Sequence, residues 1–175
     1  MSGHNKWSKI KNRKAVTDAQ KSKAFTKMGR LLAVEARKAK GDVNAPGLRM
    51  AILKAKEVNM PSDNIDRAIK KASGDGVVMD AVTYEAYGPG GCALIIEALT
   101  ENRNKAAAEI KHILSKNGFE LAGMGSATWA FEKGHEGWVA KTTIPLSETD
   151  GQALSTLIDE LEDNDDVQDV FTNAA

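Results

Sequence analysis

Apolar positions along the chain have one texture up to about residue 72 and another beyond the linker that follows. Ala24, Phe25, Met28, Leu31, Leu32 and Ala36 approach the i, i+3, i+4, i+7 spacing of a helix with one buried face. Thr17-Asp18-Ala19-Gln20 has the form of a capping box at its start, and Gly41 marks its end. A second helix is expected from Asn44, with Pro46 soon after and Leu48, Ala51, Ile52 and Ala55 as its stripe. Asn59-Met60-Pro61 breaks it. Ser62 then reads as the cap of a third helix, with Ile65, Ala68, Ile69 and Ala72 on one face and Gly74 as its stop. Three short amphipathic helices with short connections predict a small helical bundle. Stripes this thin make it marginally stable by itself.

Ser73 to Met79 reads as a linker. Beyond it, Val82–Tyr87 and Cys92–Leu99 read as strands joined by Gly88-Pro89-Gly90-Gly91. Asn102 caps a helix of about Arg103–Asn117 with Ala106, Ala107, Ile110, Ile113 and Leu114 inside, and Gly118 ends it. Ser126–Phe131 and Trp138–Ile144 read as two more strands. Ser147 or Thr149 opens a helix carrying Leu154, Leu157, Ile158 and Leu161 inward, and Val167–Phe171 is a last short strand. The order β-β-α-β-β-α-β predicts an antiparallel or mixed sheet covered by two helices, close to a ferredoxin-like α/β sandwich. The expected fold is therefore α+β: a basic arm and three-helix bundle over residues 1–74, then an acidic ferredoxin-like α/β domain over residues 80–175.

Charge sharpens this division. The formal net charge is zero, yet the first 72 residues hold 18 Lys and Arg against 6 Asp and Glu. The remainder holds 6 against 18, so a +12 half precedes a −12 half. Such asymmetry points to a polyanion partner for the basic half. A hydrophobic content of 42% with 27% charged residues fits a soluble globular protein. Cys92 is the single cysteine, and His4, His112 and His135 are scattered. An intrachain disulfide and a standard structural zinc site are thus excluded, and no cofactor is implied. No apolar stretch approaches the ~20 residues that span a bilayer, so no membrane partner is expected. The start lacks the apolar core of a secretory signal. It is basic and acid-poor like a transit peptide, but Trp7 and Ile10 interrupt the basic run as anchors would, which favours a mature cytoplasmic start.

The candidate site is a nucleic-acid contact formed by Lys6, Trp7, Lys9, Lys11, Arg13, Lys14, Lys21, Lys23, Lys27 and Arg30. Lysine and arginine displace counterions condensed on phosphates, and an indole stacks on an exposed base. Lys9, Lys11, Arg13 and Lys14 stand out, because their segment has little other reason to be so cationic. The competing readings are a solvated tail for the arm and a docking role for Trp7 against the bundle. Phe25 sits in the apolar stripe and reads as core. Tyr84–Gly91 reads either as a hairpin loop with positive-φ glycines or as a phosphate cradle, and lacks the Lys-Ser/Thr of a Walker loop. Arg103 and Lys105 at the start of the long helix hold an anion or are simply solvated. His112 reads as a helix-face residue. Asp159–Asp166 is a solvated helix end, a repeller of nucleic acid or a fold-back mimic of it. No serine or cysteine has an identifiable His/Asp partnership and no paired carboxylates sit in an apolar setting, so no catalytic residue is assigned.

These residues together resemble the YebC/PmpR family, which includes the mitochondrial translational activator of cytochrome oxidase. The matching stretches are GHNKWSKIKNRKA at 3–15, FTKM at 25–28, NMPSDNIDRAIKKASG at 59–74, YEAYGPGG at 84–91, TENRNKAAAEIKHILSKNGFELAGMGSATWAF at 100–131 and LIDELEDNDDVQDVF at 157–171. The resemblance implies a three-helix N-terminal domain, α/β domains after it, a cytoplasmic location and no catalytic activity. Members resemble either DNA-binding transcriptional regulators or ribosome-associated translation factors that relieve stalling. The implied partners are DNA or ribosomal RNA, with a ribosomal or protein partner for the acidic domain, and a protein-interaction adaptor is the remaining class. The family's basic motif carries over to Lys6, Trp7, Lys9, Lys11, Arg13 and Lys14. One departure is large: typical members insert a further α/β domain after the strand ending near Phe131, whereas here Glu132–Lys141 bridges that gap directly.

Overall fold

The computed structural model describes residues 18–74 and 76–175. They form a mixed α+β structure in two compact units. One holds the first three helices up to Asp80 with Leu99–Asn102; the other holds Ala81–Ala98 and Arg103–Ala175.

In the helical unit, α1 (Asp18–Lys38), α2 (Pro46–Glu57) and α3 (Ser62–Ala72) share one apolar cluster. Leu32, Ala36, Leu48, Ala55, Ile65 and Ile69 are buried in it, and Phe25 and Met28 pack partly buried against it. Burial of a leucine such as Leu32 or Leu48, both fully covered, stabilises by about 1.5–3 kcal/mol. The break after α2 has a definite form. Asn59 takes a left-handed conformation (φ 60°), and the N–H of Met60 donates to the Ala55 carbonyl at 3.0 Å. This is a Schellman closure, and it returns Met60 to the core.

Two expected caps are displaced. Ser62 lies inside α3, and Pro61 holds the N-cap position with no side-chain cap. The Pro61 carbonyl instead accepts from the N–H groups of Asn64 and Ile65. Helix α2 starts at Pro46 rather than Asn44, whose N–H donates to the Asp42 carboxylate at 3.0 Å in an Asx turn. Proline's fixed φ suits the first helical position.

In the α/β unit, β1 (Asp80–Tyr87), β2 (Ala93–Thr100), β3 (Leu121–Ala122) and β6 (Val167–Thr172) form one sheet in the order β3-β1-β2-β6. Glu85 pairs with Ala122 across the antiparallel β1–β3 ladder. Leu94 pairs with Thr172 across the antiparallel β2–β6 ladder, which has an irregularity at Glu97/Ala98. Alternate residues of β2 serve opposite faces. Leu94 and Ile96 join Ile110 and Leu114 of α4 (Arg103–Lys116) and Leu154, Leu157 and Leu161 of α5 (Glu148–Asp163). Ala93 and Ile95 meet Phe131, Phe171 and Trp138 on the other side. Covered on both faces, β2 opens with the apolar run Ala93–Ile96 before Glu97. Ser147 caps α5 by accepting the Asp150 N–H.

The sheet departs from a ferredoxin-like arrangement. The expected strand Ser126–Phe131 is a loop and a 3-10 turn, Thr128–Ala130, with β4 (Phe131–Gly134) only beginning at its end. Trp138–Ile144 shortens to β5 (Gly137–Ala140), and Ile144 makes an isolated parallel bridge to Ala174. β4 and β5 pair only with each other, as a separate two-stranded sheet. The cause is a side chain: the Glu85 carboxylate takes the N–H groups of Gly125, Ala127 and Thr128, which are then lost to any ladder.

Gly137 opens β5 at φ +119°, and a Cβ there would lie 2.5 Å from Cζ of the buried Phe171. Gly137→Ala is therefore expected to destabilise by about 2–4 kcal/mol through strain and overpacking. Thermal unfolding should show a Tm lower by roughly 6–12 °C. A Tm matching the parent's would mean that the ring yields.

Candidate functional site

Of the basic positions, Lys6, Trp7, Lys9, Lys11, Arg13 and Lys14 lie outside the described residues. Lys21, Lys23, Lys27 and Arg30 all stand on α1. Lys21 is exposed, 4.0 Å from the Asp18 carboxylate. Lys23, Lys27 and Arg30, spaced four and three apart, share one side of the helix, opposite the stripe of Phe25, Met28, Leu32 and Ala36. The same side continues to Arg37 and Lys38, which the reading of the sequence did not single out although the helical spacing runs on to them. From Lys23 to Lys38 this face is about 22 Å long, a length over which duplex DNA presents on the order of a dozen phosphate charges.

Several of these cations also hold structure. Nη1 of Arg30 donates to the Leu99 carbonyl at 3.2 Å, and Nη1 of Arg37 donates to the Gly76 carbonyl at 2.6 Å. Lys38 pairs with Glu35 at 2.8 Å. A guanidinium has five N–H donors and keeps its charge against a carbonyl, so such contacts orient it without neutralising it. Exposed Arg49, Lys56, Arg67, Lys70 and Lys71 add charge on α2 and α3.

The other candidates resolve differently. Gly88–Gly91 is the turn between neighbouring strands β1 and β2. Gly90 and Gly91 have positive φ, and the N–H groups of Gly88 and Gly91 are spent on the carbonyls of Cys92 and Gly88. The hairpin reading thus accounts for these glycines. Burial pushes the Cys92 thiol pKa up, against hydrogen bonds that favour the thiolate, which keeps it a neutral core residue. His112 and His135 are exposed. Among the described residues no group of three or more potential ligands can hold a metal ion, and no helix is long and apolar enough to cross a membrane. Within the acidic run, Lys116 on α4 meets Glu160 on α5 at 2.7 Å. That contact holds the Glu160 carboxyl below its ordinary pKa. Asn164 donates to Glu109 at 2.8 Å and Asp166 is buried. Part of this run therefore fastens α4 to α5.

Comparison with known proteins follows the same division. A family model described as the TACO1/YebC protein N-terminal domain matches residues 5–75. A second, described as the TACO1/YebC second and third domain, matches residues 79–136 and 132–174. The chain is 39% identical over 235 residues to a probable transcriptional regulatory protein of Fervidobacterium nodosum, covering 99% of this chain and 93% of that protein. It is 43% identical over 176 residues to another protein so named from Syntrophobacter fumaroxidans, covering 99% and 71%. Among solved structures, a conserved hypothetical protein of Aquifex aeolicus superposes with a TM-score of 0.80 at 28% identity, covering 90% of this chain and 91% of that one. The Fervidobacterium alignment runs over 235 positions against a chain of 175 residues, so at least 60 of those positions lack a counterpart here. The two matched stretches of the second model meet at residues 132–136, within the β4–β5 hairpin.

Proposed function

The chain belongs to the TACO1/YebC family, and we propose that it acts there as a non-enzymatic, nucleic-acid-binding regulator of gene expression in the cytoplasm. The observation that carries this reading is the cationic side of α1, with Lys23, Lys27 and Arg30 followed past Val34 by Arg37 and Lys38, and backed by an apolar stripe that fixes its orientation. The basic residues before α1 extend that charge along the sequence. Relatives named probable transcriptional regulatory proteins support duplex DNA as the polyanion. The acidic α/β unit sets orientation or meets a protein partner. Phosphate contacts position a protein without specifying sequence, so ribosomal RNA competes for the same surface and belongs in the test.

Affinity for a DNA duplex and for a ribosomal RNA fragment should be measured by fluorescence anisotropy across a salt series. Log K for duplex DNA should fall linearly with log salt, by roughly 0.9 per phosphate neutralised. Five such contacts cost roughly 10²–10³ in affinity between about 50 and 200 mM salt. The nucleic acid bound more tightly at the higher salt names the target class. A flat response with both would overturn the proposal.

A further inference from the structure

Between α1, α3 and the segment Gly76–Met79 runs a half-open groove of about 510 Å³. Its floor is aliphatic: Ala33 and Val34 from α1, Ala68 and Ala72 from α3, and Val77 and Val78 from the segment. Val77 and Val78 are 64% and 65% exposed, so two adjacent β-branched side chains meet water beside a concave apolar surface. Arg37 ties the segment to α1 through the Gly76 carbonyl. Among the described residues that line it, the rim carries Arg30, Arg37, Lys38 and Lys71 together with Glu101.

This lining selects among ligands. Among the described residues that line it none is aromatic, so these supply no platform on which single-stranded bases stack. Phosphate contacts, for their part, need no aliphatic floor. Aliphatic floor and cationic rim together complement a protein segment that alternates aliphatic with acidic side chains, the first filling the groove and the second meeting the rim. We propose that this groove is a docking site for an acidic, aliphatic-rich segment of a partner protein. The inference stands apart from the nucleic-acid reading: it rests on the floor, and shares with that reading only the cations at the rim.

The probe is a fluorescein-labelled peptide alternating leucine or valine with aspartate or glutamate, titrated with the full chain. Two companion peptides carry serine for the aliphatic residues, or asparagine and glutamine for the acids. The parent peptide should bind at least about tenfold more tightly than either companion, as expected when both floor and rim contribute. Val77→Ser with Val78→Ser, at positions exposed enough to leave the fold intact, should weaken the parent peptide at least about fivefold and leave duplex DNA affinity unchanged. Lys71→Glu should weaken the peptide as well. An unchanged peptide affinity in the valine double variant, or equal binding by the serine companion, would overturn the proposal. Equal weakening of peptide and single-stranded nucleic acid by the valine variant would also overturn it, assigning the groove to nucleic acid. Failure of the nucleic-acid reading has a different signature, the flat salt response.

Discussion

Glu85→Ala is expected to destabilise the α/β unit by about 3–4 kcal/mol at neutral pH. The Glu85 side chain is 6% exposed, and its carboxylate accepts three backbone N–H groups: Gly125 at 2.6 Å, Ala127 at 2.9 Å and Thr128 at 2.8 Å. Hydrogen bonds to a charged group contribute about 1.5–3 kcal/mol each and are not additive. Burial alone would raise the Glu85 pKa, but the bonds from Ala127, Gly125 and Thr128 more than offset it and hold the carboxyl below its ordinary value. The folded pKa therefore lies below the ordinary carboxyl value of the unfolded chain. The stability this group contributes is present in full above that value and is lost as pH falls through the folded pKa. Urea unfolding should show the parent and Glu85→Ala far apart at pH 7 and converging in acid. Glu85→Gln keeps one acceptor oxygen but points an amide donor at a backbone N–H; it should lose about half as much at pH 7, and its gap to the parent should also shrink in acid, because the titrating group is the parent's. The clasp also orders Trp129, whose Nε1 donates to the Tyr87 hydroxyl at 2.8 Å while that hydroxyl donates to the Ser126 carbonyl. Tryptophan quenching should rise in Glu85→Ala. A midpoint gap that does not change with pH would rule out the charged clasp.

Glu85 also shows where reading the sequence stops. A glutamate in a strand of alternating polarity signals a solvated face, and its partners come from a loop some forty residues later. The helices were legible because each buries a stripe set by its own spacing, as Phe25, Met28, Leu32 and Ala36 do. Strand β2 was legible because both of its faces are covered. The separate β4–β5 hairpin was not, because the device that keeps Ser126–Ala130 out of the sheet is Glu85. Nor was Asn173, buried near the chain's end, whose Oδ1 accepts the Ala93 N–H at 2.7 Å and whose Nδ2 donates to the Thr142 carbonyl at 3.0 Å. Of the candidate site, Lys23, Lys27 and Arg30 followed from spacing alone. The groove did not, since Val77 and Val78 read as linker until α1 and α3 are placed beside them.

Neutralising Lys9, Lys11, Arg13 and Lys14 together by alanine is expected to weaken nucleic-acid binding on the order of 100-fold near physiological salt, uniformly across sequences. The more telling number is the salt slope, which should shrink by roughly 3–4 for duplex DNA if each cation neutralises one phosphate. Slope separates a lost contact from a damaged fold, because partial unfolding lowers the active fraction without changing the number of ions released per binding event. Lys23→Ala with Lys27→Ala is the matched test on α1, expected to cost about tenfold and to reduce the slope by roughly 2. Both lysines have other interactions in the fold, so unfolding curves must accompany the titrations. Arg30 and Arg37 suit this test less well, since each also holds a backbone carbonyl. Loss of slope in both sets would make the residues before α1 and its cationic side one contact surface. Loss in the first set alone would leave the α1 face without a phosphate. Unchanged slopes in both would move the site to Arg67, Lys70 and Lys71 on α3 or off the helical unit altogether.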